Sequence, residues 1–109
     1  MRVLLTAALM LTSSIAMAEC VKPDAPELPD GGTADMQAMV AGQKAVKTYV
    51  SGTDAYLACI AGEGQEAGAE ANPDAEMERV DMHNAAVDEM EAVAAKFNEE
   101  IREYKAQAK

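Results

Sequence analysis

The sequence CVKPDAPELPDGG, residues 20–32, places a cysteine or a proline at every third position and then ends in a turn. The period-three positions are Cys20, Pro23, Pro26 and Pro29. A polyproline II helix has three residues per turn, so these side chains would all point to one side of it. The sequence PDGG at residues 29–32 is typical of a turn that ends an extended segment. We therefore predict a polyproline II segment over residues 19–32, which we call the proline arm.

Residues 1–18 have the layout of a secretory signal peptide. Arg2 precedes an apolar run over residues 3–11, and the sequence AMA at residues 16–18 supplies the small side chains of a cleavage site. The apolar run is too short to span a bilayer comfortably. We predict cleavage after Ala18 and a periplasmic or secreted mature protein.

The mature chain is small and acidic. The whole sequence has a formal charge of −10, and loss of Arg2 with the signal peptide would leave −11. This charge disfavours nucleic acid and anionic membrane surfaces as partners, and we expect no membrane insertion once the signal peptide is removed. Residues 19–109 are enough for one domain, whose thin core needs help from a disulfide or a partner.

The rest of the chain has the pattern of two α-helices and no strand pattern. Helix 1 is predicted over residues 33–60, with Thr33 as its N-cap. Residues 61–72 are rich in glycine, alanine and glutamate and are predicted to form a flexible loop. Helix 2 is predicted over residues 73–106, after Asn72 as N-cap and with a proline at the first helical position. The predicted fold is therefore all-α, an antiparallel two-helix hairpin.

Each predicted helix has an apolar seam with alternating spacings of three and four. In helix 1 the seam is Met36, Met39, Gln43, Val46, Val50, Thr53, Leu57 and Ile60. In helix 2 it is Val80, His83, Val87, Met90, Ala94, Phe97, Ile101 and Tyr104. Matching the two seams predicts that Thr53 lies near His83 and Met39 near Phe97.

Helix 1 has a second stripe beside its seam. Its members are Gly42, Ala45, Tyr49, Gly52, Tyr56 and Cys59. A glycine inside a helix costs roughly 1 kcal/mol against alanine, so the two glycines indicate a close approach by another backbone. The proline arm would extend about 40 Å at roughly 3.1 Å per residue, which is the length of helix 1 at roughly 1.5 Å per residue.

We predict that the proline arm packs lengthwise on helix 1 and brings Cys20 to Cys59, and that these two cysteines form a disulfide in an oxidising compartment. The residues predicted to pack the arm are Pro23, Pro26, Pro29, Gly42, Tyr49, Gly52 and Tyr56. This arrangement resembles the polyproline and α-helix hairpin of the pancreatic polypeptide hormones, in which prolines interleave with helix tyrosines. The resemblance covers residues 20–60 in architecture only and implies no hormonal function.

No catalytic constellation is present in the sequence. His83 is the only histidine and Ser51 the only serine after residue 18, and the single predicted disulfide has no CxxC spacing. We therefore predict no enzymatic activity, no catalytic residue and no cofactor. His83 is interpreted as a partly buried side chain that hydrogen-bonds to Thr53 or to a carboxylate.

The alternative function is copper binding, because thioether sulfur and imidazole can hold Cu(I). Its candidate ligands are His83, Met36 and Met39. The geometry of the predicted hairpin argues against one shared site, since the two methionines belong near the end away from His83.

Three segments of the sequence, CVKPDAPELPDG, YVSGTDAYLAC and HNAAVDEMEAVAAKFNEEIREYK, resemble an uncharacterised family of small exported helical proteins of proteobacteria. The resemblance implies a location in the cell envelope and supplies no site residues. We predict a non-enzymatic interaction protein, an adaptor, stabiliser or assembly factor, that binds an unknown protein or a second copy of itself. An apolar arc beside the seam of helix 2 is a candidate surface: Ala85, Ala86, Ala92, Val93 and Ala95.

Overall fold

The computed structural model describes residues 20–67 and 72–107, and the regular structure within them is helical. Helix α1 is Met36–Ala67 and helix α2 is Pro73–Gln107. The two helices pack against each other as a helical hairpin, which confirms the all-α class. The predicted signal peptide and residues 68–71 of the predicted loop lie outside the described residues.

Helix α1 begins three residues later than predicted. The Asp30 carbonyl accepts hydrogen bonds from the N–H groups of Thr33 and Ala34, at 3.1 and 2.8 Å, and holds this segment in a turn. Asp35 is the N-cap instead, because its carboxylate accepts a hydrogen bond from the Ala38 N–H at 2.8 Å. The prediction of Thr33 as N-cap is therefore wrong.

Helix α1 also continues past Ile60 to Ala67, about two turns into the segment that we predicted as a loop. Gly62 and Gly64 weaken a helix, but the alanine, glutamate and glutamine residues around them are good helix formers and no proline interrupts them. The start of α2 follows the prediction: the Asn72 side chain accepts from the Asp74 N–H at 3.0 Å.

The core combines residues of the predicted seams, Met39, Ile60 and Phe97, with the two tyrosines of the second stripe of α1. The buried apolar residues are Met39, Tyr49, Tyr56, Ile60, Ala86 and Phe97. Ala86 is fully buried, whereas Val80 and His83, which the predicted seam of helix 2 contains, are exposed. A residue as small as alanine lets other segments approach α2 closely, which accounts for the burial of Ala86 although it lies outside the predicted seam.

The proline arm contacts both helices. Its contacts with α1 are the Cys20–Cys59 disulfide, Pro23 beside Gly52, and Pro29 beside Gly42. Its contacts with α2 are the Lys22–Glu89 ion pair and the packing of Gly31 against the backbone of Glu100 and Tyr104. The sequence had placed the arm on helix 1 alone, and the contacts with α2 are an addition to that prediction.

Candidate functional site

The disulfide between Cys20 and Cys59 fastens the start of the proline arm to α1, as predicted. The two Cα atoms are 5.6 Å apart, within the ordinary range for a disulfide. Cys20 packs against a buried cluster formed by Tyr56, Ile60 and Ala86. The Glu63 carboxylate, one turn after Cys59 on α1, lies 3.3 Å from the Cys20 sulfur.

Further along the proline arm, two prolines lie against the two glycines that the sequence singled out. A Cβ added to Gly52 would lie 3.3 Å from the Pro23 ring, closer than most such contacts. A Cβ added to Gly42 would lie 2.7 and 2.8 Å from Pro29 ring carbons and 3.2 Å from the Phe97 ring. The arm, α1 and α2 therefore all meet at Gly42, where only a glycine leaves enough room.

The other residues predicted to pack the arm differ in burial. Tyr49 and Tyr56 are buried, and Pro26 is half-buried. The pKa of Tyr49 is raised, mainly by burial and also by the nearby Glu89 carboxylate. Lys22 of the arm pairs with Glu89, and this bond raises the pKa of Lys22 and lowers that of Glu89. Both partners are about one-third exposed, so the pair contributes little to stability by itself.

The turn at the end of the proline arm is held by the last turns of α2, a contact that the sequence did not predict. The buried Gly31 N–H donates to the Glu100 carboxylate at 2.7 Å. The Gln107 amide donates to the carbonyls of Gly31 and Ala34, at 2.7 and 2.8 Å. A Cβ at Gly31 would overlap the Glu100 carbonyl group. We call these contacts the Gly31 clasp.

Glu100 is the charged centre of the Gly31 clasp. The Gly31 N–H is the largest cause of its lowered pKa, and Lys96, whose ammonium lies 3.2 Å from the carboxylate, adds to the effect. Glu103 is close enough for the charge of Glu100 to raise its pKa. These contacts therefore favour the ionised form of Glu100 and disfavour the ionised form of Glu103.

A groove of about 390 Å³ lies between the last turns of α1 and the first turns of α2. Its lining residues are Ile60, Ala61, Gly64, Gln65, Glu76, Arg79, Val80 and His83. The wall on α1 exists because that helix continues beyond Ile60. Arg79 lies across Gly64, where an added Cβ would be 3.3 Å from the guanidinium Nε. The groove therefore combines an apolar floor with a cationic side chain.

His83 lies in this groove and is exposed, so its interpretation as a partly buried residue is wrong. The buried Thr53 hydroxyl has no hydrogen-bond partner among the described residues, which also excludes the predicted bond between Thr53 and His83. The reason is the register: His83 lies opposite Ile60, about two turns along α1 from Thr53.

The structure does not bring the three candidate copper ligands together. Met36 and Met39 lie in the first turn of α1, and His83 faces the Ile60 end of that helix. These positions are about 30 Å apart along α1 at roughly 1.5 Å per residue. In residues 20–67 and 72–107, two groups of three His, Cys, Asp or Glu side chains come within ligand distance, and neither includes His83: Cys20, Cys59 and Glu63, and Asp30, Glu100 and Glu103.

In the first of these two groups both cysteines are joined in the disulfide, and in the second Glu100 accepts the Gly31 N–H. A second groove, of about 380 Å³, lies on the first turns of α1 beside the exposed Met36.

Neither described helix is long and apolar enough to cross a membrane. Comparisons of the chain with protein-family models, curated proteins and solved structures give no match.

Proposed function

We propose that this chain is a non-enzymatic exported protein that acts by binding another protein or a second copy of itself. In this proposal the helices form an antiparallel hairpin, and the proline arm is a polyproline II segment between them. The signal-peptide pattern of residues 1–18 supports export to a periplasm or beyond the cell.

Several contacts support the antiparallel arrangement. Gly64 near the end of α1 lies beside Arg79 near the start of α2, and Gly42 near the start of α1 lies beside Phe97 in the second half of α2. The arm lies next to residues at both ends of the hairpin, from Cys20 to Gly31. Such a third segment enlarges the thin core of a two-helix protein.

The observation that carries the function is the groove between the two helices, together with the apolar side chains at its edge. Val80 lines the groove and is 52% exposed, and Met77, one turn earlier on α2, is 65% exposed. An open groove with apolar side chains at its edge is typical of a surface that binds a partner.

The binding proposal is tested with a photo-crosslinking residue placed at Val80 or, as the matched control, at Val21. Both valines are exposed, but Val21 lies on the arm, outside the groove. In cells that export the protein, we expect a discrete adduct from position 80 and none from position 21. Val80→Asp should also abolish an adduct formed from a crosslinker at Met77. Equal crosslinking from positions 80 and 21, or none from either, would contradict the proposal.

A further inference from the structure

The two ends of the proline arm are held in different ways. At one end, the buried backbone of Gly31 takes part in hydrogen bonds with Glu100 and Gln107. At the other end, Val21 is 78% exposed and the Lys22 ion pair is open to solvent. The Cys20–Cys59 disulfide is therefore the main hold on the start of the arm.

The disulfide is also only partly shielded from solvent. Both cysteines are half-buried, and the adjacent Glu63 is exposed. Cys20 covers part of the buried cluster of Tyr56 and Ile60. Ile60 also lines the groove proposed above as the binding surface, so the disulfide lies at the edge of that groove.

We propose that the Cys20–Cys59 disulfide is a reversible latch, opened by a dithiol reductant, that frees the start of the proline arm while the Gly31 clasp stays closed. Opening uncovers Tyr56 and Ile60 and extends the apolar floor of the groove. The latch regulates the binding surface of the proposed function and in this respect rests on it.

The chemistry is thiol–disulfide exchange. A thiolate of the reductant attacks the sulfur of Cys59 or Cys20, forms a mixed disulfide and releases the other sulfur as a thiolate. The second thiol of the reductant then displaces the remaining cysteine. The reductant leaves as a disulfide, and Cys20 and Cys59 gain two electrons and two protons as thiols.

Glu63 slows this exchange in the closed state. Its carboxylate lies within 4.8 Å of both sulfurs, so it repels the incoming thiolate and the departing one. At about 4 Å in a water-like environment, this repulsion corresponds to a rate factor of about fivefold. Glu63→Gln removes the charge, and Glu91→Gln is the matched control because Glu91 is an exposed carboxylate on α2.

The first part of the test measures the rate at which dithiothreitol reduces the oxidised mature protein, in native buffer and in low urea. We expect reduction to proceed from the folded state, at a rate that low urea does not change. Glu63→Gln should accelerate it about fivefold, and Glu91→Gln should leave it unchanged. Reduction that occurs only at the rate of global unfolding would overturn the latch, because the disulfide would then be a permanent structural crosslink.

The second part of the test measures the backbone order parameters of the non-proline residues by NMR relaxation, before and after reduction. We expect the order parameters between Val21 and Leu28 to fall on reduction, and those of Gly31 and of both helices to stay high. A segment 21–28 that stays ordered after reduction would overturn the proposal, as would loss of order throughout the chain. Neither part of the test needs a binding partner, so failure of the latch and failure of the proposed binding function are distinguishable.

Discussion

Alanine substitutions at two glycines of α1 should have opposite effects on stability. Gly42 and Gly62 lie in the same helix, where alanine is favoured over glycine by about 1 kcal/mol. At Gly62 an added Cβ meets nothing within 4 Å, so Gly62→Ala should gain this amount. At Gly42 the Cβ would lie 2.7 Å from the ring of Pro29.

The Pro29 ring is rigid, and Phe97 closes the other side of the contact. Forcing a methyl group into such packing costs about 1–3 kcal/mol, which exceeds the gain in helix propensity. We expect Gly42→Ala to be less stable than Gly62→Ala by about 2 kcal/mol, or roughly 8–16 °C in Tm for a domain of this size. The measurement is urea and thermal denaturation of the oxidised mature protein, followed by far-UV circular dichroism.

A third variant shows whether the proline arm causes the difference. In a Pro29→Ala background the ring carbons that meet the added methyl group are absent, so the destabilisation by Gly42→Ala should shrink. If Gly42→Ala and Gly62→Ala raise the stability equally in the oxidised protein, then Pro29 does not pack on Gly42 and the reasoning is refuted.

Three further predictions concern the two ends of the arm. Replacing Cys20 and Cys59 by serine opens a loop with a sequence separation of 39 and should lower the free energy of unfolding by about 4 kcal/mol. Urea denaturation measures this change, and an unchanged midpoint of the urea transition would contradict the role of the disulfide. Gly31→Ala should destabilise the fold more than Gly42→Ala, because its Cβ meets backbone atoms of Glu100 that cannot move alone; equal melting temperatures would count against the Gly31 clasp. Glu103→Gln should raise Tm at pH 7 and have no effect well below pH 4. The charge of Glu100 raises the pKa of Glu103, so the ionised form of Glu103 is unfavourable in the folded state only. A gain in Tm that persists at low pH would contradict this cause.

The contribution of Glu100 to stability depends on pH in the opposite sense to that of Glu103. Its pKa is lowered in the folded protein, so its contribution to stability is present above its ordinary value of 4.5 and is lost as the pH falls through the lowered value. The acid side of the stability profile should therefore be less steep in Glu100→Gln than in the unchanged protein.

The sequence predicted the disulfide because two separate patterns had the same length. The period-three arm and predicted helix 1 up to Cys59 both extend about 40 Å, and this match brought Cys20 to Cys59. The start of α2 was predictable for a local reason, since Asn72 and the following proline define an N-terminus within a few residues.

The end of α1 was not predictable from the same kind of signal. Gly62 and Gly64 are typical of loops, but a helix tolerates isolated glycines when good helix formers surround them and a neighbour packs on them. Arg79, which lies across Gly64, comes from the other helix. Local sequence does not reveal such a contact, so the groove that depends on it was missed.

The Gly31 clasp was missed because its partners are 69 residues apart in the sequence. One signal could have indicated it. Glu100 follows Phe97 by three residues and therefore lies on the buried face of α2, where a carboxylate needs a hydrogen-bond donor. The free N–H groups of the turn at residues 30–32 are such donors.

The central claim is that the proline arm lies between the two helices and touches both. Nuclear Overhauser effects at the two Hα protons of Gly42 in the oxidised mature protein test it most directly, since one of these protons occupies the place of the missing Cβ. We predict strong cross-peaks from this proton to the Pro29 ring and to the Phe97 ring. Cross-peaks from Gly42 to its own helix alone would contradict the claim.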